Sequence, residues 1–196
     1  MDTETSGFFF FNEPDPSFNP KTKQTHQSVS WGLIVANAQT FKPIASKYVE
    51  IKWNGVSEWN KEAEAVHGLS KEYLEKNGMS EEEAAVEIAE FIDKHWPQDA
   101  ELSSNRNVRC LGHNVATFDI WFMRRLLKPH GLMFPTGNRF IDSSSVANVV
   151  LGVFNSDDMF DELGLGNRTL HNALEDCDLT LKAMQRIRAI FNKATT

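Results

Sequence analysis

Two predicted helices carry an aspartate on the side that also carries their apolar residues. Asp176 belongs to the helix predicted over residues 173–191, and Asp119 belongs to the helix predicted over 118–127. The residues in the row of Asp176 at helical spacing are Thr180, Ala183, Ile187 and Ile190. The residues in the row of Asp119 are Phe122, Met123 and Leu126. A buried carboxylate is costly unless it is paired or bound to a metal, so the fold must supply a partner for both.

Each aspartate also has a simpler interpretation. Both Asp119 and Asp176 fall in the first turn of a predicted helix. A carboxylate in that turn can accept hydrogen bonds from free backbone N–H groups and is favoured by the helix dipole. For either residue taken alone, helix capping therefore stays open.

A third pair of carboxylates favours a metal site. Asp2 and Glu4 alternate with Thr3, so both side chains project to the same face if the segment is extended. Gly7 permits a backbone turn directly after this segment. Four carboxylates from three separated segments are a suitable ligand set for two hard cations such as Mg²⁺.

His171 lies five residues before Asp176, at the start of the last predicted helix. A single histidine in this position can be purely structural. Beside a metal-binding carboxylate, however, an imidazole is well placed to take a proton from a metal-bound water. Both interpretations of His171 stay open at this point.

Length and composition predict one domain over residues 1–196, large enough to bury its own core. The net charge of −7 argues against broad electrostatic adhesion to nucleic acid, although cations bound at a carboxylate site reverse its local charge. The spacing of Cys110 and Cys177 suits neither a zinc site nor a disulfide framework, so we expect free thiols and a cytoplasmic protein. No apolar run is long enough for a membrane span or a signal peptide, so we expect no membrane partner.

The remaining pattern predicts a mixed β-sheet covered by α-helices, because strands precede helices without a regular βαβ period. The predicted strands are 29–35, 47–53, 108–111 and 140–141. Further predicted helical segments are 57–74, interrupted at His67-Gly68, then 80–95, opened by a Ser80–Glu83 capping box, and 146–151. Residues 8–25 are predicted to form a long loop, and 155–169 a loop-rich stretch.

Three spaced motifs together resemble the DEDDh family of 3′–5′ exonucleases, which includes polymerase proofreading subunits, ribonuclease T and oligoribonuclease. The motifs are DTETSG at 2–7, HNVATFD at 113–119 and HNALED at 171–176. The segment AVHGLS at 65–70 is similar to a further family segment that contains HGI or HGL. The resemblance spans nearly the whole chain, and the three motifs in order are specific where each alone is not.

The resemblance implies an α/β, ribonuclease H-like fold with a mixed β-sheet flanked by α-helices. It implies two Mg²⁺ or Mn²⁺ ions per site, with His171 as the general base. The implied metal ligands, which are also catalytic, are Asp2, Glu4, Asp119 and Asp176. The residues expected near the substrate are Thr5, Ser6, Gly7, Phe8, His113 and Asn114. For His113 and Asn114 a loop-shaping or core hydrogen-bonding role is equally open, and Asp142 is expected to cap a helix.

The resemblance implies hydrolysis of terminal nucleotides from single-stranded or frayed 3′ ends of DNA or RNA. The alternative is a catalytically impaired nucleic-acid-binding or polymerase-associated module of the same fold. The choice of sugar, a polymerase partner and the oligomeric state stay open. The run Phe8–Phe11 could stack on bases or cover the core. The candidate phosphate contacts, for which a solvated surface position is the alternative, are Arg124, Arg125, Lys128 and Arg168.

The chain departs from the family pattern in two places. The family's first motif ends a buried apolar strand, whereas only Met1 precedes Asp2 here. We therefore expect the first strand to be truncated relative to the functional protein, with apolar residues encoded upstream. The loop at residues 8–25 is also longer than the usual family connection, which is expected to affect the choice of substrate.

Overall fold

The structure is a computed structural model that describes residues 1–10, 14–95, 109–136, 139–166, 168 and 170–194. Parts of four predicted segments lie outside the described residues: Phe11 of the aromatic run, residues 11–13 of the predicted loop 8–25, Val108 of the third predicted strand, and residues 167 and 169 of the predicted stretch 155–169.

The central sheet has three antiparallel strands in the order β1-β4-β5, where β1 is Asp2–Thr5, β4 is Ser28–Ala36 and β5 is Pro43–Glu50. The prediction over 29–35 is confirmed, because the first six residues of β4 are buried and the alternating Val29, Trp31 and Leu33 belong to the core. β5 begins earlier and ends earlier than predicted. It lies at one edge of this sheet, and its first residues face solvent. These residues therefore lack the alternation of apolar and polar side chains from which the start of a strand can be predicted.

Two shorter strand pairs complete the β-structure. β2 (Phe18–Asn19) and β3 (Gln24–Thr25) form an antiparallel hairpin, so the segment predicted as a long loop contains a small sheet. β6 (Leu111–Gly112) and β7 (Ile141–Asp142) pair in parallel. The backbone amine of Met1 donates to the Leu111 carbonyl at 2.8 Å, which places β6 beside the start of β1.

Seven α-helices cover this β-structure within the described ranges. They are α1 (Lys61–His67), α2 (Lys71–Asn77), α3 (Glu81–Lys94), α4 (Asp119–Leu127), α5 (Ser143–Leu151), α6 (Ser156–Glu162) and α7 (Ala173–Ala194). The predicted break at His67-Gly68 is confirmed, since Gly68 ends α1 with a φ of 72°, in the left-handed region. The predicted capping box of α3 and the predicted cap of α5 by Asp142 are also confirmed.

The prediction of a loop-rich stretch over 155–169 is wrong in its first half. Asn155 caps α6, which buries Met159 and Phe160. With only seven residues and two adjacent buried side chains, α6 is too short to display a helical period in the sequence. At the other end of the chain, α7 extends past the core, so Ile190 is exposed although its row is otherwise buried.

α7 lies directly on the central strand β4. A Cβ atom on Gly32 would overlap the Ala173 carbonyl, so only glycine allows the start of α7 to approach β4 this closely. The Cys177 thiol donates to the Gly32 carbonyl at 3.1 Å across the same contact. This close packing brings the first turn of α7 against the strand pair that carries the first motif.

Candidate active site

The first two carboxylates are positioned by strand β1. Thr3, which points to the opposite face, donates through Oγ1 to the Ser30 carbonyl at 2.8 Å and fixes the orientation of the strand. Asp2 and Glu4 therefore project to one side, toward the starts of α4 and α7. Glu4 is 8% exposed, and its Oε1 has no hydrogen-bond partner among the described residues.

The other two carboxylates start helices, and both are buried as predicted. Asp119 is 1% exposed and Asp176 is 4% exposed. Asp176 does not cap its helix, and a hydrogen bond from its own backbone N–H satisfies the Asp119 carboxylate only in part. Asn172 Oδ1 accepts from the N–H groups of Leu174 and Glu175 and so caps α7 itself. For Asp119, the Oδ1 atom finds no hydrogen-bond partner within the described part of the chain.

The three separated segments converge. Glu4, His171 and Asp176 each offer a ligand atom, and these atoms all lie within 4.8 Å of one another. His171 Nδ1 is 3.7 Å from Asp176 Oδ2. The backbone of His171 is held by a hydrogen bond from its N–H to the Val66 carbonyl at 3.0 Å. α4, which begins with Asp119, packs against β1, and the Asp2 carboxylate is near enough to Asp119 and Asp176 for their charges to interact.

Burial and mutual repulsion raise the pKa of the carboxyl groups in this cluster. Burial, followed by the charge of Asp176, raises the pKa of Asp2 to about 7. Burial, followed by the charges of Asp2 and Asp176, raises the pKa of Glu4 to about 8. The pKa of Asp119 is also raised, again mainly by burial and then by Asp2. Hard divalent cations fit this donor set, because they supply the positive charge that crowded, partly unsatisfied carboxylate oxygens require.

The pKa of the His171 imidazole shifts in the opposite direction to that of the carboxyl groups, downward. Burial and the neighbouring charge of Arg168 lower its pKa, although Asp176 acts in the other direction. The ring is therefore neutral at pH 7 and able to accept a proton. About a third of the side chain is exposed, so solvent and substrate can reach it.

His67, from the segment similar to HGI or HGL, is a further histidine beside this site. Its Nδ1 accepts from the Leu69 N–H at 3.0 Å, and its buried Nε2 has no partner among the residues that the structure describes. The charge of His171 contributes to lowering the pKa of His67, although burial is the larger cause. The sequence motif AVHGLS contains His67, but the motif alone did not predict that this histidine lies beside His171.

Arg168 has a position that sequence reasoning missed. Its side chain is 6% exposed, and its guanidinium forms an ion pair with Asp176. The same group donates to Asp157 Oδ1 at 3.0 Å and to Ser156 Oγ at 2.6 Å. Both of these acceptors belong to the first turn of α6, the helix that the sequence did not predict. Arg168 is thus neither on the solvated surface nor free to contact phosphate in this structure.

Replacing Arg168 with glutamine is expected to destabilise the metal-free protein by about 2–4 kcal/mol, because it leaves the buried Asp176 carboxylate without its partner. A divalent cation should recover part of this loss by supplying the missing charge. Urea unfolding in EDTA and in Mg²⁺ measures both effects, with Arg124→Gln on the exposed side of α4 as the matched control. An equal loss of stability in the two buffers would contradict a link between Arg168 and the cation site.

The predicted substrate-side residues of the first motif have different surroundings. Ser6 is buried, donates to the Glu58 carbonyl at 2.7 Å and accepts from the Gln27 N–H. Thr5 is also buried. Gly7 has a φ of 143°, and a Cβ there would approach His26 Cε1 to 2.6 Å. Ser6 and Gly7 therefore shape the backbone after β1, whereas Phe8 is 55% exposed.

In the second motif, His113 and Asn114 hold a loop. His113 Nδ1 lies 3.1 Å from Ser143 Oγ, and its Nε2 lies 3.0 Å from the Phe154 carbonyl. Asn114 adopts a φ of 58° and donates through its backbone N–H to Asp142 Oδ1. This geometry fits the loop-shaping alternative, and a substrate contact by either residue stays a prediction.

Three phenylalanines, Phe8, Phe10 and Phe118, form an aromatic rim beside the cluster. The ring centroids of Phe8 and Phe10 are 5.3 Å apart, and Phe8 meets Phe118 edge-on at 5.8 Å. Phe118 directly precedes Asp119 in the chain. Because Phe8 and Phe10 are more than half exposed, the rim presents aromatic surface next to the carboxylates.

Comparison with known proteins gives matches among solved structures. No family model matches the chain, and no curated protein matches its sequence. The zinc-bound complex of E. coli exonuclease I with single-stranded DNA is 16% identical, with a TM-score of 0.71, over 96% of this chain and 39% of that chain. The complex of the same enzyme with a dT13 oligonucleotide is 16% identical, with a TM-score of 0.70, over 100% and 42% of the two chains. The chain thus spans about 40% of the length of these structures.

These structural matches confirm the predicted α/β, ribonuclease H-like fold, with its mixed β-structure flanked by helices. Sequence identity at the matched positions is only 16%, so these matches rest on the similarity of the fold. No helix within the described part of the chain combines enough length with enough apolar character to traverse a lipid bilayer.

Proposed function

We propose that this protein is a 3′–5′ exonuclease that hydrolyses terminal nucleotides from single-stranded nucleic acid. The observation that carries the proposal is the convergence of Glu4, Asp176 and His171 within 4.8 Å, with Asp2 and Asp119 in the same charged cluster. The similarity of the fold to exonuclease I structures that contain single-stranded DNA supports it. We assign Asp2, Glu4, Asp119 and Asp176 to two Mg²⁺ or Mn²⁺ ions.

In this proposal the cations, His171 and the aromatic rim have separate roles in hydrolysis. Bound cations supply charge stabilisation at the phosphate oxygens and make a water molecule more acidic. The neutral His171 takes the proton from the attacking water. The water oxygen attacks phosphorus, and the bond from phosphorus to the 3′ oxygen of the preceding nucleotide breaks. That oxygen takes a proton from solvent and becomes the 3′ hydroxyl of the shortened strand, while a nucleoside 5′-monophosphate leaves. The aromatic rim holds the terminal bases by stacking, which contributes about 1–3 kcal/mol per base.

One observation favours the alternative of a catalytically impaired binding module. Arg168 already neutralises Asp176, so one of the four carboxylates has a resident partner. A module that binds without hydrolysis would keep this ion pair when cations are added. An active enzyme would instead bind cations at the remaining carboxylates. Addition of metal would therefore cause digestion of nucleic acid by the enzyme but not by the binding module. A polymerase partner stays a prediction.

Digestion of matched 5′-labelled DNA and RNA oligonucleotides tests the proposed function. With Mg²⁺ we expect a ladder of labelled products, each one nucleotide shorter than the last, and no products in EDTA. The two substrates reveal which sugar is accepted. Release of the labelled 5′ nucleotide as the first product, or no digestion of either strand, would contradict the proposal.

His171→Ala is expected to lower the turnover rate by about a hundredfold or more while Mn²⁺ affinity stays nearly unchanged. The wild-type rate should rise with pH as the imidazole loses its proton, at a pH below the ordinary histidine value, because burial and Arg168 lower the pKa of His171. The variant should lose this rising limb. His130→Ala, in the turn after α4, is the control. A parallel collapse of metal affinity in His171→Ala would instead identify a ligand or a structural residue.

A further inference from the structure

We propose that the outer face of α4 is a second nucleic-acid subsite, which binds the strand on the 5′ side of the terminal nucleotides. The subsite, here named the α4 stripe, consists of Phe118, Trp121, Arg125 and Lys128. The proposal rests on the proposed function, because the cluster at Asp119 must hold the 3′ end for the stripe to lie upstream of it.

The stripe follows from helical geometry. Its four residues are spaced by three, four and three positions, which places them on one side of the helix and of the turn that continues it. Phe118 and Trp121 are half-buried, whereas Arg125 and Lys128 are exposed. At a rise of 1.5 Å per residue, Arg125 lies about 9 Å along the axis from Asp119. The stripe thus begins at the aromatic rim and leads away from the carboxylates.

A groove runs along this face of the helix. It has a volume of about 490 Å³, and α4 contributes Trp121, Arg124 and Arg125 to its wall, followed by Lys128. Among the lining residues outside α4 are the polar Gln27 and Asn54. The groove is large enough to admit part of an extended strand, and polar groups contribute to its lining.

The charge of the groove differs from that of the whole chain. Three cations line it, against the two carboxylates Asp15 and Glu81. Both carboxylates already accept hydrogen bonds, Asp15 from Ser17 and Glu81 from Asn54. Arg125 uses one N–H to donate to Thr25 Oγ1 at 2.6 Å, which holds the guanidinium at the groove. In a protein of net charge −7, this is a local excess of positive charge.

Aromatic rings followed by cations match the chemistry of a single strand. Bases stack on aromatic side chains, and arginine and lysine contact backbone phosphates without regard to sequence. The order along the stripe, rings near Asp119 and cations farther away, suits a strand whose terminal bases stack at the rim while its upstream phosphates reach Arg125 and Lys128. An acidic peptide would match the cations but would leave the rings without a partner.

Fluorescence anisotropy with 5′-labelled oligonucleotides in EDTA tests this subsite without hydrolysis. Wild type should bind a decanucleotide more tightly than a dinucleotide, whose single phosphodiester lies at the carboxylates and leaves no upstream phosphate for the cations. In the double variant Arg125→Gln/Lys128→Gln, we expect decanucleotide affinity to fall about tenfold at low salt, with dinucleotide affinity unchanged. The slope of the logarithm of affinity against the logarithm of salt concentration should become shallower by about 0.7 for each lost phosphate contact.

The controls separate this inference from the proposed function. The matched double variant Lys76→Gln/Lys94→Gln removes two exposed lysines on α2 and α3 and should bind like wild type. If the stripe variant still prefers the longer oligonucleotide as strongly as wild type does, the subsite is refuted, even where Mg²⁺-dependent digestion is normal. If length-dependent binding is lost in the stripe variant but no strand is ever digested, the subsite stands and the proposed function fails. Equal competition by a deca-glutamate peptide would overturn the assignment to nucleic acid.

Discussion

Asp119→Asn is expected to abolish nuclease activity while leaving the metal-free protein as stable as wild type or more stable. The substitution keeps the shape of the side chain but removes a carboxylate from the proposed cation site. We expect a loss of at least about a thousandfold in kcat/KM, which corresponds to roughly 4 kcal/mol of transition-state stabilisation. The stability of the metal-free protein should hold or rise, because the Asp119 carboxylate is buried and repelled by Asp2 and Glu4.

Asp176→Asn should behave differently from Asp119→Asn in stability, although not in activity. Its charge is paired with the buried Arg168, so removing it takes away one of the two carboxylates, Asp176 and Asp157, that neutralise the guanidinium and is expected to destabilise the protein. The exposed Asp178→Asn, two residues along α7, is the control for both variants. Thermal unfolding in EDTA and a digestion assay in Mg²⁺ provide the two measurements. Wild-type activity in Asp119→Asn would remove this residue from the proposed ligand set.

The metal-free protein is expected to lose stability as the pH rises from about 6.5 to 8.5. The folded-state pKa of Asp2 is about 7 and that of Glu4 is about 8, both above the ordinary values of 3.8 and 4.5. In this range the folded state holds protons that the unfolded state has released, so the free energy of unfolding falls as pH rises through the folded pKa values. The fall should be on the order of several kcal/mol, because each tenfold difference in proton affinity between the two states corresponds to about 1.4 kcal/mol.

The carboxylates are the main cause of the fall within this pH window. Burial lowers the pKa of His26, His67, His113 and His171, so these histidines make the protein more stable as pH rises, an opposing effect that fades about one pH unit above their ordinary pKa. The α-amino group of Met1, whose pKa is raised from 8.0, adds to the fall at the upper end of the window. Mg²⁺ should reduce or reverse the fall, because it binds the deprotonated carboxylates of the folded state.

Urea unfolding at pH 6.5 and 8.5, in EDTA and in Mg²⁺, measures this dependence. Glu4→Gln should remove a large part of the fall in EDTA, since glutamine cannot ionise. Glu175→Gln, exposed in the first turn of α7, should not. A fall that is the same with and without Mg²⁺ would argue that the carboxylates do not form a cation site.

The sequence revealed the parts of the site that are encoded by local periodicity. Asp119 and Asp176 stood out because each interrupts an apolar row of its own helix, and both prove to be buried. Asp2 and Glu4 could be placed on one face from strand alternation alone. The upstream apolar strand expected before Met1 stays a prediction, while residues Asp2–Thr5 themselves pair with β4.

The parts that the sequence did not reveal depend on contacts between distant segments. Arg168 meets Asp176 because α6 supplies its other partners, and α6 was too short to recognise. Gly32 carries no local signal, yet its missing side chain lets α7 approach β4. The aromatic rim joins Phe8 and Phe10 to Phe118 across more than one hundred residues of sequence, which no periodicity could predict.

Counting bound Mn²⁺ by electron paramagnetic resonance tests the central claim most directly, because it detects the cations without relying on turnover. In the presence of a nucleoside 5′-monophosphate, the proposed product, we predict two Mn²⁺ ions per chain for the wild type. Asp119→Asn should bind fewer ions, whereas Asp178→Asn should bind two. Failure of the wild type to bind Mn²⁺, or a count that is the same in Asp119→Asn, would contradict the assignment of the carboxylate cluster as a two-cation hydrolytic site.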